Sequence, residues 1–360
     1  MKAQLRSLCL LLLIVVCGIL FPSFQQKTEN LDWKNSVKYG WCVYTFGAKD
    51  TSNINAINRS KPSMIRWFVE WDRLDAKKNG NSLRTYHLNS FKPFFKSVAD
   101  NNITLIVQMW VKERFWEGDG NGGVQWAKPN KTTNYPSDIN ASYGGFVRDL
   151  IAAMKVEGVL ESNIIVEGWN EPDLLWGVPD SRANYQEPWK VFSGGKKGFS
   201  KWTGGSAEKW SALHKVLNTS NPNVRWSNGC VGIQERYSSW IKPCYNIPEV
   251  SVLDLHYYLW QAKSAKQYCD SIDVIIERWD KLLPSGKKPY PFFIGEVARL
   301  SSGTESECII STEDAAMIRE ICGILQTKYK ERFIGVTVHG PIRMWSSDAW
   351  YNESYSGVKP

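Results

Sequence analysis

Several patterns that identify common protein classes are absent from this chain of 360 residues. There is no Cys-x-x-Cys pair and no His/Cys cluster, so we expect no metal site. No Gly-x-Gly-x-x-Gly fingerprint follows the first predicted strand, and no Gly-x-Ser-x-Gly elbow occurs; this argues against a dinucleotide-binding domain and an α/β-hydrolase. Linkers, repeats and low-complexity blocks are also lacking, which indicates a single folded domain.

Long apolar segments are confined to the N-terminus. Lys2 and Arg6 precede the apolar run Leu8–Phe21, which is short for a bilayer span and typical of a secretory signal. We therefore predict a signal peptide over residues 1–23, a secreted chain and no stable membrane insertion after cleavage. Retention of this segment as a signal anchor is the alternative.

Concentrated charge of one sign is also missing. The net charge is +8, and the basic residues are spread along the chain apart from a short cluster at Lys196, Lys197 and Lys201. A nucleic-acid-binding protein usually has a basic stripe and a recognisable binding motif. We therefore expect no nucleic-acid partner.

Cysteine and glycosylation signals fit a secreted chain. Cys9 and Cys17 leave with the signal peptide, and an even number of Cys in the remainder suggests up to three disulfides. The remaining cysteines are Cys42, Cys230, Cys244, Cys269, Cys308 and Cys322. Sequons that fit a glycosylated surface occur at Asn58, Asn102, Asn130, Asn140, Asn218 and Asn352.

Tryptophan is the residue in excess. The chain contains 18 Trp, more than a core requires, because the bulky ring carries an N–H that must find a partner. Some of these rings are expected to face a flat ligand, either a sugar or a nucleobase.

Short β-branched and aromatic runs alternate with longer segments of helical period, as in a parallel sheet with crossover helices. Eight runs are present, which predicts a single-domain (β/α)₈ TIM barrel over residues 33–350, with an open doubly wound sheet as the competitor. The predicted strands are Val37–Tyr44, Ser63–Val69, Ile103–Trp110, Ile164–Trp169, Val224–Ser227, Val252–Tyr258, Phe292–Val297 and Phe333–His339. The longer predicted helices are His87–Asp100, Tyr143–Met154, Ala207–Leu217, Lys266–Leu283 and Thr312–Tyr329, and a shorter helical segment covers Ile233–Ile241.

Two glutamates stand where catalytic residues of a TIM barrel are found, at the carboxyl ends of strands. Glu171 follows the fourth run and Glu296 closes the seventh. An apolar strand that leads into a carboxylate is costly unless the carboxylate is paired or used. Exposed or salt-bridged glutamates at loop starts are the alternative interpretation.

The segment Trp169-Asn170-Glu171-Pro172 resembles the Asn-Glu-Pro motif of glycoside hydrolase clan A, whose members are retaining (β/α)₈-barrel glycosidases. The resemblance implies that Glu171 is the acid/base and Glu296 the nucleophile. It also implies that Arg66, at the end of the second strand, lies near the nucleophile.

Further positions match the sugar site of the clan. The resemblance implies that His256 and Tyr258 belong to its strand-six His/Tyr cluster and that Trp345 floors the sugar site. Asn170 is expected to bond the sugar 2-hydroxyl. Tyr258 rather than Tyr257 is expected to point inward, because Asp254 and His256 share its strand face.

Three more residues are candidates for substrate binding. His339 ends the eighth run, while Trp110 and Trp176 lie at a strand end and in the long loop 172–205. Ordinary packing is the alternative for each of them, as it is for Trp41.

These residues predict a retaining glycosidase that cleaves a polysaccharide or oligosaccharide without a cofactor. The motif is most similar to families thirty-nine and five, and the aromatic loops favour endo action. The sequence departs from family thirty-nine in ending soon after strand eight, and from family five in having Trp169 before Asn170. A catalytically inactive barrel that binds carbohydrate or acts as a receptor is the alternative, and the oligomeric state is left open.

Overall fold

The computed structural model describes residues 37–44, 48–70, 74, 77–78, 81–110, 139–167, 219–231, 250–259, 262–300, 308–309 and 311–339. The predicted signal peptide, the loop 172–205 and the predicted helices 207–217 and 233–241 lie outside these ranges. Within the described ranges, no helix is both long and apolar enough to cross a bilayer.

Eight parallel strands close into a barrel, which confirms the predicted fold. Each strand pairs with its neighbours along the chain, and the last strand pairs with the first to complete the ring. The strands are β1 Lys38–Val43, β2 Met64–Glu70, β3 Thr104–Trp110, β4 Ile164–Glu167, β5 Arg225–Val231, β6 Val250–His256, β7 Phe292–Val297 and β8 Phe333–Val338. Two short antiparallel ribbons, 77–78 with 81–82 and 299–300 with 308–309, lie outside the barrel sheet.

The described helices follow the strands as crossovers. They are α1 Thr51–Ser60, α2 Arg84–Ser90, α3 Lys92–Asp100, α4 Ile139–Val156, α5 Ala265–Lys281 and α6 Thr312–Tyr329. The single helix predicted over His87–Asp100 is in fact two helices that meet at Phe91. Pro93, near the start of α3, has no N–H to continue the hydrogen-bond ladder of α2, and proline is tolerated in a first helical turn. A capping box of Ser311 and Asp314 starts α6.

The interior of the barrel has an apolar layer made by residues that alternate along the strands. Met64, Ile106, Ile165, Val252 and Phe293 pack against one another there and are fully buried. Since successive side chains of a strand point to opposite faces, the residues two positions further along these strands also point inward. That second layer contains Arg66, Glu167 and Asp254, which are fully buried.

Part of the tryptophan excess belongs to the core between the barrel and its helices. Trp41, Trp67, Trp226 and Trp279 are among the largest fully buried side chains. Trp67 packs edge-on against three phenylalanine rings of the α2–α3 segment, with centroid distances of 4.8 to 5.6 Å. Trp41 is 2% exposed and belongs to this core, so ordinary packing, the alternative given for it above, accounts for its position.

The expectation of up to three disulfides needs correction. Cys42, Cys269 and Cys322 are buried free thiols on three different elements. Burial raises the pKa of each of these thiols, which keeps them protonated and unreactive. Cys230, Cys244 and Cys308 lie outside the residues whose side chains are described, and three cysteines can form one pair at most.

Candidate active site

Glu296 faces the barrel interior because β7 contains a bulge. From Ile294 to Val297, β7 advances three residues while β8 advances two, and a matching irregularity occurs against β6. Strict alternation from the inward-facing Phe293 would turn Glu296 outward. The extra residue re-aims the side chain, as bulges near active sites commonly do.

Four polar groups surround the Glu296 carboxylate, which is 3% exposed. Arg66 Nη1 donates to Glu296 Oε1 at 2.6 Å, and His256 Nδ1 lies 3.4 Å from the same oxygen. The Tyr258 hydroxyl donates to Glu296 Oε2, and His339 Nδ1 lies 3.6 Å from that oxygen. Both carboxylate oxygens therefore face positive or hydrogen-bonding groups.

These neighbours decide the charge of Glu296. Burial alone would raise its pKa, but His256, His339, Arg66 and the Tyr258 hydroxyl together hold the pKa well below its usual range. Burial would lower the pKa of His256, yet Glu296 and Asp254 raise it well above its usual value. The arrangement therefore favours an anionic Glu296 beside a cationic His256.

Arg66 lies in the middle of β2, not at its end as the sequence suggested, because β2 continues to Glu70. Its guanidinium is fully buried and reaches Glu296 from deeper in the barrel. Arg66 Nε and Nη2 donate to the two oxygens of Glu167, each at 2.9 Å. The carbon of the guanidinium also lies 4.7 Å from the centre of the Phe68 ring.

Asp254 completes the charged layer. Its Oδ2 lies 3.6 Å from Arg66 Nε and 3.3 Å from His256 Nε2, and the side chain is fully buried. The layer thus contains three carboxyl groups, on Glu167, Asp254 and Glu296, against the two cations Arg66 and His256. Burial raises the pKa of Glu167 to about 8, with Asp254 adding to the rise and Arg66 opposing it. A proton on Glu167 makes the charges of these five groups balance at neutral pH.

Glu167, Asp254 and His256 also have the composition of a metal site, since one ligand atom from each lies within 4.8 Å of the others. Both oxygens of Glu167 already accept from Arg66, however. A divalent cation at this position would face a guanidinium at close range. The arginine thus takes the place that a metal ion would have.

Gly295 allows the bulge and the charged layer to coexist. A Cβ atom at this position would lie 2.2 Å from Asp254 Oδ1, closer than any real contact. The Gly295 carbonyl accepts from the hydroxyl of Thr337 and from the thiol of Cys42 at 3.6 Å. The residue before Glu296 is therefore fixed by β1, β6 and β8 together.

Aromatic rings form the wall around His339. Tyr44 and Phe68 stack with their centroids 5.0 Å apart, and each also contacts the His339 ring. Tyr44 Oη lies 3.4 Å from His339 Nε2, and the Tyr258 ring meets His339 edge-on at 5.9 Å. His339 is held between these rings in a fixed orientation.

The structure brings together five of the residues that the sequence selected: Glu296, Arg66, His256, Tyr258 and His339. Tyr258 is the tyrosine that points inward, while the Tyr257 ring packs on Tyr268 with centroids 4.8 Å apart. The roles of these residues toward a substrate stay predictions. Four selected residues lie outside the described residues, and Trp110 ends β3 with a side chain that is not described. Those four are Asn170, Glu171, Trp176 and Trp345.

Sequence reasoning did not select Glu167, Asp254 or Tyr44. The signal for the first two was present, since each is a carboxylate within an apolar strand, in Ile165-Val166-Glu167 and Leu253-Asp254-Leu255. The argument applied to Glu171 and Glu296 holds equally for them. Tyr44 had no such signal, because an aromatic residue at a strand end is ordinary.

Comparison with known proteins rests on the fold. No protein-family model and no curated protein matches the chain. A Cellulomonas fimi endo-β-1,4-mannanase of glycoside hydrolase family 26 matches with a TM-score of 0.51 at 12% identity, over 91% of this chain and 71% of that one. A Paenibacillus pabuli family 5 xyloglucanase matches with a TM-score of 0.51 at 13% identity, over 90% and 99%.

A hyperthermophilic endo-β-1,4-glucanase matches with a TM-score of 0.51 at 12% identity, over 90% of this chain and 98% of that one. At these identities the likeness concerns the fold. It agrees with the resemblance to clan A and to family five, whereas the resemblance to family thirty-nine stays a prediction. The chain therefore has the (β/α)₈ fold of glycoside hydrolases of families 5 and 26.

Proposed function

We propose that the protein is a retaining glycoside hydrolase with Glu296 as its nucleophile. The observation that carries the proposal is the surrounding of Glu296: a buried carboxylate with a depressed pKa, held by Arg66, His256 and Tyr258 at the carboxyl end of a barrel strand. A nucleophilic carboxylate must be ionised and fixed in orientation before it attacks an anomeric carbon. Both requirements are met at this position.

Glu171 is the proposed general acid and base. In the first step it gives a proton to the leaving-group oxygen while Glu296 attacks the anomeric carbon, so the glycosidic bond breaks and a glycosyl-enzyme ester forms. In the second step Glu171 takes a proton from water, and the oxygen of that water displaces Glu296. Its place in the sequence, four residues after Glu167, the last residue of β4, supports this role.

The proposed substrate is a β-1,4-linked polysaccharide cut at internal bonds. The support comes from the barrels with the same fold, which are an endo-mannanase, a xyloglucanase and an endo-glucanase. The tryptophan-rich segment after Glu171 adds a composition suited to stacking on sugar rings. We further propose that the enzyme acts outside the cell after removal of residues 1–23, which N-terminal sequencing of the secreted protein would test.

Product analysis by mass spectrometry tests the reaction. The mature protein is incubated with mannan, xyloglucan and β-1,4-glucan, and oligosaccharides are the expected early products. Release of single terminal sugars alone would contradict the endo assignment. Tight glycan binding with no cleavage of any substrate would instead favour the carbohydrate-binding module.

Covalent trapping tests the nucleophile. A 2-deoxy-2-fluoro glycoside of a sugar that the enzyme accepts is expected to add one glycosyl mass, which peptide mapping assigns to Glu296. The Glu296→Gln variant should lose activity by about 10⁴-fold or more, as nucleophile variants do. Label on another residue, or normal activity in this variant, would exclude the mechanism.

A further inference from the structure

We propose that Glu167 is a positioning residue that aims Arg66 at the nucleophile. This inference rests on the proposed function, and it concerns a residue whose hydrogen bonds go to Arg66 and not to the nucleophile Glu296. Glu167 contacts the two donors on one edge of the Arg66 guanidinium, and a third donor, Nη1, contacts Glu296.

Because the guanidinium is planar, its contact with Glu167 determines where its third donor points. Its nitrogens lie in one rigid plane, so holding Nε and Nη2 with a forked carboxyl group also fixes the direction of Nη1. The two Glu167 bonds are equal at 2.9 Å, and the Nη1 bond to Glu296 is 2.6 Å. A rotation of the plane about the Arg66 side chain would break all three bonds together.

The position of Glu167 is itself fixed by the strands on both sides of β4. Glu167 is paired in register with Gln108 on β3 and Ser227 on β5, and its side chain is fully buried. Asp254 Oδ2 lies 3.6 Å from Arg66 Nε, and a Cβ at Gly295 on β7 would lie 2.2 Å from Asp254 Oδ1. Arg66 is thereby contacted from β4 and β6, while its Nη1 donates to Glu296 on β7.

The location on β4 gives this arrangement a second consequence. The proposed acid/base Glu171 lies four residues beyond Glu167 on the same chain segment. Through Arg66, Glu167 thus links the nucleophile on β7 to β4, the strand that precedes Glu171 in the chain. A retaining mechanism needs such a tie, because its two carboxyl groups must keep a separation of about 5–5.5 Å.

The Glu167→Gln variant tests the proposal with little change in size or charge. Glu167 holds a proton at the acidic pH where Glu296 titrates, so the substitution exchanges one neutral group for another. The amide nitrogen cannot accept from Arg66, and one of the two anchoring bonds is lost. We expect kcat to fall by up to about 100-fold with KM little changed, as for a misplaced catalytic group.

A double-mutant cycle separates positioning through Arg66 from a general structural role. In an Arg66→Lys background, which has no planar fork to aim, Glu167→Gln should lower kcat no further. Additive losses in the two variants would overturn the proposal.

The Glu167→Asp variant keeps the carboxyl group on a shorter side chain and should recover part of the kcat that Glu167→Gln loses. If Glu167→Asp had a kcat as low as that of Glu167→Gln, this result would count against an anchoring role of the carboxyl group.

A second readout does not depend on catalysis. The carboxyl carbon of Glu296, followed by ¹³C NMR and assigned with Glu296→Gln, should titrate at higher pH in Glu167→Gln, because Arg66 no longer stabilises the anion fully. An unchanged titration in a folded Glu167→Gln variant would overturn the proposal even if wild type cleaves no glycan. Absence of glycosidase activity together with a shifted titration would overturn the proposed function alone.

A matched control guards against loss of stability as the cause. Arg332 and Asp280 form a half-buried ion pair at 2.7 Å, at the amino-terminal end of β8 and remote from Glu296. Asp280→Asn should lower stability while kcat and the Glu296 titration stay as in wild type. If Asp280→Asn lowered kcat as Glu167→Gln does, the effect of Glu167 would be structural and the proposal would be wrong.

Discussion

Two layers of the same barrel interior differ in chemistry while sharing strands and burial. The apolar layer contains Met64, Ile165 and Val252, and the charged layer contains Arg66, Glu167 and Asp254, each two positions further along the same strand. All six side chains are fully buried. The period of a β-strand places both sets inward, so burial alone does not distinguish packing from function.

The difference between the layers lies in what holds them. The apolar layer is stabilised by removal of apolar surface from water and tolerates exchange between side chains of similar volume. In the charged layer each group depends on its partners, because an unpaired buried charge is strongly destabilising. The charged layer is therefore costly to build, and we interpret it as retained for the state it imposes on Glu296.

The largest expected effect on stability comes from the apolar layer. Phe293→Ala removes a fully buried ring and should lower the free energy of unfolding by about 3–5 kcal/mol. Chemical denaturation measures this loss. The pH dependence of activity in the remaining folded protein should stay as in wild type, and a displaced acid limb would show that the layers are not separable.

Gly295→Ala tests the contact between β7 and the charged layer. The added Cβ overlaps the Asp254 carboxyl group, so we expect a loss of about 1–3 kcal/mol in stability together with a large fall in activity. Gly323→Ala in α6 is the matched control, since its Cβ would meet nothing within 4 Å. That control should gain up to about 1 kcal/mol from helix propensity. Equal behaviour of the two variants would disprove the role assigned to Gly295.

Tyr258→Phe removes one donor from Glu296 and leaves the ring in place. The pKa of Glu296 should rise, so the acid limb of kcat/KM moves to higher pH and activity near neutrality falls by about 10- to 100-fold. The pH profile measured against wild type checks this. Tyr257→Phe is the control and should leave the profile unchanged, because Tyr257 packs on Tyr268 away from the site.

The last prediction concerns the pH dependence of stability. Glu167 has a raised pKa of about 8 in the folded protein, so its contribution is fully present below the usual glutamate pKa and is lost as pH rises toward 8. Glu167→Gln should therefore lose less stability than wild type between pH 5 and pH 8. Urea denaturation at both values measures the difference, and parallel losses in the two proteins would show that Glu167 is ionised in the folded state.

Local patterns were sufficient to predict the strands and several site residues. The eight runs were visible because each is short, rich in β-branched and aromatic residues, and separated from the next by a helical segment. Arg66, His256 and Tyr258 were selected through the resemblance to clan A, and period-two counting chose Tyr258 over Tyr257. The division at Phe91 was missed although Pro93 signalled it. Pro93 lies well inside the predicted helix His87–Asp100, where a proline breaks the helix, but it is tolerated in the first turn of a helix that starts at Lys92.

The partners within the charged layer could not be predicted from the sequence. Arg66 bonds residues that are 101 and 230 positions away, and no local pattern specifies which buried cation meets which carboxylate. The inward orientation of Glu296 is a stronger case. Alternation along β7 assigns it to the outer face, and only the bulge at Gly295 against β6 and β8 reverses that assignment.

The sequence by itself determined the number of barrel strands and their order along the chain. It also determined the presence of a carboxylate at the ends of the fourth and seventh runs. These properties follow from hydrophobic period and turn residues, which act over a few neighbouring positions. The closure of the ring, the pairing of Arg66 with Glu167 and the ionised state of Glu296 were decided by the tertiary structure alone. They depend on distances between strands and on removal of water, and such quantities exist only once the barrel has closed.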